Sequence, residues 1–197
     1  MSNMDKRFEN ITMTGRMCYI FMCIERYLLA LYPDRDWTLV ARKMWQWMSY
    51  PYWADDGWYE YGGITPNCVL KYKDYDDMKK HDGLSIVSCE EYDQARKLYD
   101  GITNSYSKNE MNVVLDIPVY LCNLCDGESY DDKTGDRLTL EHIDMIEGIL
   151  EKHGIPLPDA SLVAEYAPQK NYEGELDRWG FQMYGTEKLS IILKGNK

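Results

Sequence analysis

The chain has 197 residues, of which 33 are acidic and 22 are basic, so its formal net charge at neutral pH is −11. Hydrophobic residues make up 45% of the sequence and charged residues 28%, which is typical of a globular protein and excludes a disordered one. A negative field of this size repels phosphate backbones, so it argues against ordinary nucleic-acid binding and favours a basic partner.

One short apolar run and six cysteines bear on the cellular compartment. The run at residues 17–24 is too short to span a membrane, charged residues flank it, and no small-residue cleavage site follows it. The sequence therefore predicts a cytoplasmic protein with no membrane contact and with reduced thiols. These thiols are Cys18, Cys23, Cys68, Cys89, Cys122 and Cys125.

Two amphipathic helices follow residues 1–9, which are polar and are predicted to be disordered. Apolar residues recur every three or four positions over residues 12–32, which predicts a mostly buried helix that Pro33 ends. Asp36 is a good N-cap for a second helix over residues 37–49. Because only a short connection joins them, the two helices should form an antiparallel hairpin.

An aromatic and acidic segment follows the helix stop at Pro51. Eight of the seventeen residues from 45 to 61 are aromatic, and the same stretch carries three acids and no base. No helical periodicity extends beyond Pro51, so the sequence predicts a loop over residues 52–61. Aromatic residues serve both cores and interfaces, which leaves two interpretations open: the rings plug the end of the hairpin, or they anchor a partner.

Capping residues indicate the helices of the second half of the chain. They are Thr65 with Pro66, Ser88 with Glu91, Ser107 with Glu110, Thr139, and Asp159. Pro118 is expected to kink or end the helix after Ser107, and residues 113–120 form a short strand in the alternative, because β-branched residues cluster there.

Polar segments and glycines set the expected ends of these helices. Residues 71–82 are predicted to be a solvated helix end and loop, and residues 127–136 a polar, acidic loop. Gly101 and Gly154 each follow a helix and predict its stop. Residues 189–193 fit either a helix face or a strand.

The fold class that follows is mainly α, with one domain over residues 1–197. We expect a helical bundle of about six to eight helices, with a small β element near the C-terminus as the alternative.

The chemistry-bearing residues form no complete catalytic, cofactor or metal motif. Cys122 and Cys125 are the only CxxC pair, and neither a second CxxC nor a spaced histidine pair completes a metal site. The sequence therefore predicts no metal, no cofactor and no enzymatic activity. Asp55 and Asp56, which lie among tryptophans and tyrosines, are the one carboxylate pair that is typical of a sugar-binding site.

The layout of the chain resembles the immunity proteins of bacterial polymorphic-toxin systems. The resemblance covers most of the chain and is one of layout and composition: a small, acidic, mainly helical protein rich in Trp and Tyr. It is carried by MTGRMCYIFMCIERYLLALYP, WTLVARKMWQW, YWADDGWYEYGGITP and ELDRWGFQMYGTEKLSIIL. It implies a cytoplasmic antitoxin that binds a cognate toxin domain, often a basic nuclease, and blocks its active site.

The predicted partner-binding residues are the aromatic and acidic residues beyond Pro51. They are Tyr52, Trp53, Asp55, Asp56, Trp58, Tyr59, Glu60 and Tyr61. The acids would meet the basic surface of a toxin, and the rings would supply the anchors. Two other functions stay open: a carbohydrate-binding or carbohydrate-active protein that uses the same rings, and a helical regulatory scaffold.

Overall fold

The computed structural model describes residues 6–8, 10–49, 56–82, 87–125, 132–166 and 185–195. Within these ranges the chain forms eight α-helices and two short 3-10 helices, and no strand, so the mainly α prediction is confirmed. The α-helices are α1 (Met13–Leu31), α2 (Thr38–Trp47), α3 (Asp56–Gly62), α4 (Pro66–Val69), α5 (Tyr75–Asp82), α6 (Cys89–Tyr99), α7 (Glu110–Cys125) and α8 (Asp132–Lys152). The 3-10 helices are Ala160–Tyr166 and Thr186–Leu189.

Helix α1 is the centre of the fold, as its apolar periodicity predicts. The Thr12 hydroxyl accepts a hydrogen bond of 3.2 Å from the Gly15 amide and so caps the helix. Nearly every side chain of the first four turns is buried, because α2, α7, α8 and both 3-10 helices pack around α1. One connected cluster of buried apolar residues joins these elements.

Ring contacts show that α1 and α2 form the predicted antiparallel hairpin. The Trp37 ring lies 6.2 Å from that of Tyr32 at one end, and the Trp45 ring lies 5.6 Å from that of Phe21 farther along. Trp37 occupies the N-cap position of α2, and the Asp36 carboxylate just before it accepts a hydrogen bond of 3.0 Å from the Thr38 amide.

The N-terminal residues 6–8 contradict part of the predicted disorder. Phe8 is fully buried, and its carbonyl accepts hydrogen bonds from the buried Arg16 guanidinium at 2.9 and 3.2 Å. Arg7 forms a salt bridge of 2.7 Å with Glu147 of α8. The sequence did not indicate that Phe8 belongs to the core, because the residues around it are polar.

The start of α7 differs from its prediction. Asn109, and not Ser107, caps the helix, since the Asn109 side-chain oxygen accepts a hydrogen bond of 3.0 Å from the Asn112 amide. Glu110 instead binds Lys152 and His153 at the end of α8, at 2.7 and 2.5 Å. The helix continues through Pro118, so the predicted stop and the alternative strand at residues 113–120 are both wrong.

Helix α8 begins at Asp132, seven residues before the predicted cap at Thr139. Thr139 lies inside the helix, where its buried hydroxyl accepts a hydrogen bond of 3.0 Å from Arg16. The predicted end is confirmed, because Gly154 follows the helix with a φ of 65°. Residues 132–136 are therefore helical and not part of the polar loop.

The remaining predicted elements are confirmed in most respects. Ser88 and Glu91 form the capping box of α6, with amide-to-side-chain distances of 3.2 and 3.3 Å. Residues 75–82 form a separate helix, where a solvated helix end and loop was expected over residues 71–82, and residues 189–193 contain no strand. None of the described helices is both long enough and apolar enough to cross a membrane.

Candidate functional site: an aromatic cleft beside helix α3

The predicted binding segment is helical from Asp56 onward, so the expected loop is wrong over that part. Helix α3 runs from Asp56 to Gly62 and packs against α2 and α7. Tyr52, Trp53 and Asp55 lie outside the described residues, as does the side chain of Asp56. A seven-residue helix that contains two glycines and two acids is too short to show a helical hydrophobic period, which is why the segment resembled a loop.

Tyr61 faces the core and is removed from the predicted binding surface. Its side chain is 0% exposed, its ring stacks on that of Trp47 at 5.8 Å, and its hydroxyl donates a hydrogen bond of 2.8 Å to the Leu115 carbonyl. Leu115 lies in α7, three residues before Pro118. Tyr61 therefore joins α3 to α2 and α7 in the core.

Glu60 belongs to an ion cluster inside the fold. Lys43 of α2 is only 7% exposed, and its ammonium group lies 2.9 Å from the Glu60 carboxylate and 3.0 Å from that of Glu91. A buried lysine needs such partners, because removing its charge from water is costly. The acid that the sequence assigned to a partner is therefore neutralised by this chain itself.

Trp58 and Tyr59 are the two predicted residues that the structure brings to an accessible site. Their ring centroids lie 3.9 Å apart, Trp58 is half-buried, and Tyr59 is 36% exposed. Both line a cleft of about 570 Å³ that also borders α4, α7 and residues 87 and 106. We call this cleft the aromatic cleft.

The exposed aromatic side chains of the described residues all converge on this cleft. Three tyrosines are the only aromatic residues among the exposed large hydrophobic side chains in those ranges: Tyr59, Tyr106 at 66% and Tyr120 at 52%. All three line the aromatic cleft together with Trp58, although they come from α3, the loop after α6, and α7. Solvent-exposed rings from three separate elements at one concave site are typical of a binding site.

A fixed amide and a carboxylate provide the polar side of the cleft. The Asn67 side-chain oxygen accepts hydrogen bonds from the Asn112 side-chain amide at 3.0 Å and from the Tyr106 backbone amide at 2.9 Å. These two bonds determine the orientation of Asn67, so its Nδ2 donates to Oδ2 of Asp116 on α7. Burial raises the pKa of Asp116 to about 6, although the hydrogen bond from Asn67 favours the charged carboxylate.

Tyr106 adopts a backbone conformation that side chains rarely take. Its φ is 54°, the only positive value among the non-glycine residues that the structure describes. The hydrogen bond from its amide to Asn67 stabilises this left-handed conformation and holds the backbone of Tyr106 beside the cleft. Such strain, retained beside a polar network, is more often found at sites that bind ligands than elsewhere.

Sequence reasoning missed four residues of this site: Asn67, Tyr106, Asp116 and Tyr120. They lie far from the aromatic segment along the chain, and no motif joins them. In the described part of the chain, no group of three or more His, Cys, Asp or Glu side chains is arranged to hold a metal ion. The site thus combines stacking rings, one amide and one carboxylate.

The comparisons with known proteins add no further indication of what the chain does. No protein-family model, curated protein or solved structure matches it.

Proposed function

We propose that this chain is an immunity-type binding protein of the cytoplasm, which neutralises a basic toxin domain by holding it at the aromatic cleft. One observation carries the proposal: the exposed rings of Tyr59, Tyr106 and Tyr120 meet Trp58 and the Asp116 carboxylate at a single concave site. Tyrosine and tryptophan are the residues that most often dominate the energy of protein interfaces.

The charge of the chain supports a basic partner. A net charge of −11 attracts a positively charged domain over long range and raises the association rate. The rings then lose their water on contact and slow dissociation. On this proposal the attraction comes from the whole acidic surface and the residence time comes from the cleft, while Glu60 contributes to neither directly, because Lys43 binds it.

The test uses any toxin-like domain that a gene neighbouring that of this chain encodes. Co-expression should restore growth of cells that produce the toxin domain, and titration calorimetry should show a complex of the two purified proteins. Tyr59→Ala and Tyr106→Ala should each weaken that complex by roughly tenfold or more, as expected of interface anchors.

A control variant separates the cleft from the rest of the surface. Leu162 is 48% exposed and does not line the aromatic cleft, so Leu162→Ala should leave the affinity for the toxin domain unchanged. Association should also slow as the salt concentration rises, because screening weakens the long-range attraction. Equal losses for Tyr59→Ala and Leu162→Ala, or no complex with any neighbouring toxin domain, would contradict the proposal.

A carbohydrate-binding function is the second candidate, because the cleft sets stacking rings beside the Asn67 amide and the Asp116 carboxylate. Titration of the tryptophan fluorescence with neutral oligosaccharides distinguishes this candidate from the first. A saccharide that changes the fluorescence of the wild type and not of Trp58→Phe would favour carbohydrate binding. A chain that binds neither saccharides nor a toxin domain would favour a helical regulatory scaffold.

A further inference from the structure

We infer that the Asp116 side of the aromatic cleft is a subsite for one arginine side chain of the partner, with the guanidinium group hydrogen-bonded to Asp116 and stacked against the tyrosine rings. This inference rests on the proposed function and names the chemistry by which the cleft recognises its partner. Three features support it: the hydrogen bonds of Asp116, the absence of a paired cation among the described residues, and the exposed rings that line the same cleft.

Among the residues that the structure describes, only one oxygen of Asp116 receives a hydrogen bond. Asn67 donates to Oδ2, and no other donor to Asp116 is found among the described residues. Asn67 cannot turn away to change this arrangement, because its own oxygen is held by Asn112 and Tyr106. Asp116 lines the cleft and its Oδ1 keeps acceptor capacity, so a donor that enters the cleft can bind there.

No cation of the described chain neutralises Asp116. Lys71 also lines the cleft, where its ammonium group lies 4.8 Å from the centre of the Tyr72 ring, but burial, and no neighbouring cation, shifts the pKa of Asp116. A partly buried carboxylate without a counter-ion is costly for the chain alone and favourable for a cationic ligand. The other titratable groups that line the cleft are Tyr59, Cys68, Tyr106 and Tyr120. The buried Tyr61 and Tyr99 interact electrostatically with Asp116 from the core.

The rings favour arginine over lysine. A guanidinium group is planar, stacks on aromatic faces and keeps further N–H donors for a carboxylate, whereas an ammonium group is a compact, strongly hydrated charge. Tyr59, Tyr106 and Tyr120 offer exposed aromatic surface beside Asp116. One arginine side chain can thus satisfy the free acceptor and bury against the rings at the same time.

The first experiment uses small probes and needs no toxin. N-acetyl-arginine methyl ester is titrated into 15N-labelled protein, and the shifts of the Trp58 indole and the Asn67 side-chain amide are followed by NMR. N-acetyl-citrulline methyl ester is the matched control, because it has nearly the same shape and no charge. We expect the arginine ester to bind roughly tenfold more tightly than the citrulline ester. N-acetyl-lysine methyl ester, which has a charge but no planar group, should have an intermediate affinity.

The variant Asp116→Asn isolates the carboxylate. Asparagine retains an oxygen that can accept the hydrogen bond from Asn67, so the fold should remain, as thermal unfolding would verify. The variant should bind the arginine and citrulline esters equally weakly. The inference is wrong if the wild type binds both esters equally, or if Asp116→Asn still prefers the arginine ester. It is also wrong if a neutral saccharide displaces the arginine ester and binds Asp116→Asn as tightly as it binds the wild type.

The complex with the toxin domain separates this inference from the proposed function. If Tyr59→Ala abolishes binding of the toxin domain and Asp116→Asn does not weaken it, the proposed function is supported and the arginine subsite is wrong. If the arginine ester binds in the way expected but no toxin domain forms a complex, the subsite stands and the proposed function is wrong.

Discussion

The indole Nε1 of Trp45 donates a hydrogen bond of 2.7 Å to the carboxylate of Glu25, and both side chains are buried. The same carboxylate accepts hydrogen bonds from the Ser190 hydroxyl at 2.5 Å and from the Ile191 amide at 2.6 Å. One acid of α1 thus joins α2 to the C-terminal residues of the described chain. Burial raises the pKa of Glu25, and its hydrogen bonds act against that rise by stabilising the charged form.

Replacing Glu25 with alanine should lower the free energy of unfolding by about 3 kcal/mol, because it leaves several buried donors without an acceptor. Hydrogen exchange of the amides of residues 190–193 should accelerate more than that of α6, since the C-terminal segment loses its attachment to α1. Urea unfolding and exchange measured by mass spectrometry provide the two readouts. Glu151→Ala is the control, because Glu151 is exposed on α8. A stable Glu25→Ala protein would show that apolar packing alone holds this segment.

The helices that the sequence predicted correctly are those whose signals are local. The apolar period of α1, the capping box of Ser88 with Glu91, and Gly154 after α8 depend only on neighbours within a turn or two. Ser107 carried the same local pattern and failed, because the long-range contacts of Glu110 with Lys152 and His153 use the side chain that a capping box requires.

The candidate site was predicted only in part, for the same physical reason. Aromatic density in one segment located Trp58 and Tyr59, but composition could not show that Tyr61 turns inward, since that depends on the phase of α3 against α2 and α7. Asn67, Tyr106 and Asp116 meet only after folding, so no spacing in the sequence indicates their network.

Asp116→Asn should gain stability relative to the wild type as the pH rises. Burial raises the pKa of Asp116 from its ordinary 3.8 to about 6, so the folded state holds the proton more tightly than the unfolded state. The wild type therefore loses stability relative to the variant as the pH rises from 4 through 6. The difference should grow by roughly 1 to 2 kcal/mol, allowing for solvent screening at a partly exposed group.

This prediction is checked by urea unfolding of both proteins at pH 4, 5, 6 and 7.5. Other titrating groups cancel in the difference between the two proteins, because the substitution changes only one of them. A difference that stays constant with pH would mean that Asp116 titrates normally. A variant that is more stable at pH 7.5 and still loses the arginine ester would show that the carboxylate is kept for binding.

Gly63→Ala should destabilise the protein, whereas Gly62→Ala should not. A Cβ at Gly63 would lie 2.5 Å from Cγ2 of Val87 and 3.1 Å from the Tyr59 carbonyl oxygen, so the chain beside the cleft has to shift. The cost should be about 1 to 3 kcal/mol, as for other overpacked sites. A Cβ at Gly62 meets only Val119 and Trp58, at ordinary distances of 3.7 and 3.9 Å. Thermal unfolding of the two variants measures the difference. An equal loss of stability in both variants would contradict the prediction.

Tyr59 and Tyr61 should show opposite effects although only one residue separates them. Tyr61→Ala should cost about 3 to 5 kcal/mol, because it removes a fully buried ring together with the hydrogen bond from its hydroxyl to the Leu115 carbonyl. Tyr61→Phe should cost only about 1 kcal/mol, since the ring remains and one hydrogen bond is lost. Tyr59→Ala should change the free energy of unfolding by less than about 1 kcal/mol, as for other exposed positions.

Partner binding should reverse this order. Tyr59→Ala should weaken the complex with the toxin domain, while Tyr61→Phe, which stays folded and alters no exposed atom, should bind it as the wild type does. Chemical unfolding and titration calorimetry on the same preparations give both quantities. If Tyr59→Ala unfolds the protein as readily as Tyr61→Ala does, the exposed ring contributes to the core and the aromatic cleft loses its first anchor. If instead Tyr61→Phe weakens the complex without loss of stability, the hydrogen bond from Tyr61 to the Leu115 carbonyl positions α7 for binding. Because Asp116 lies on α7, that bond would then also position the Asp116 side of the cleft.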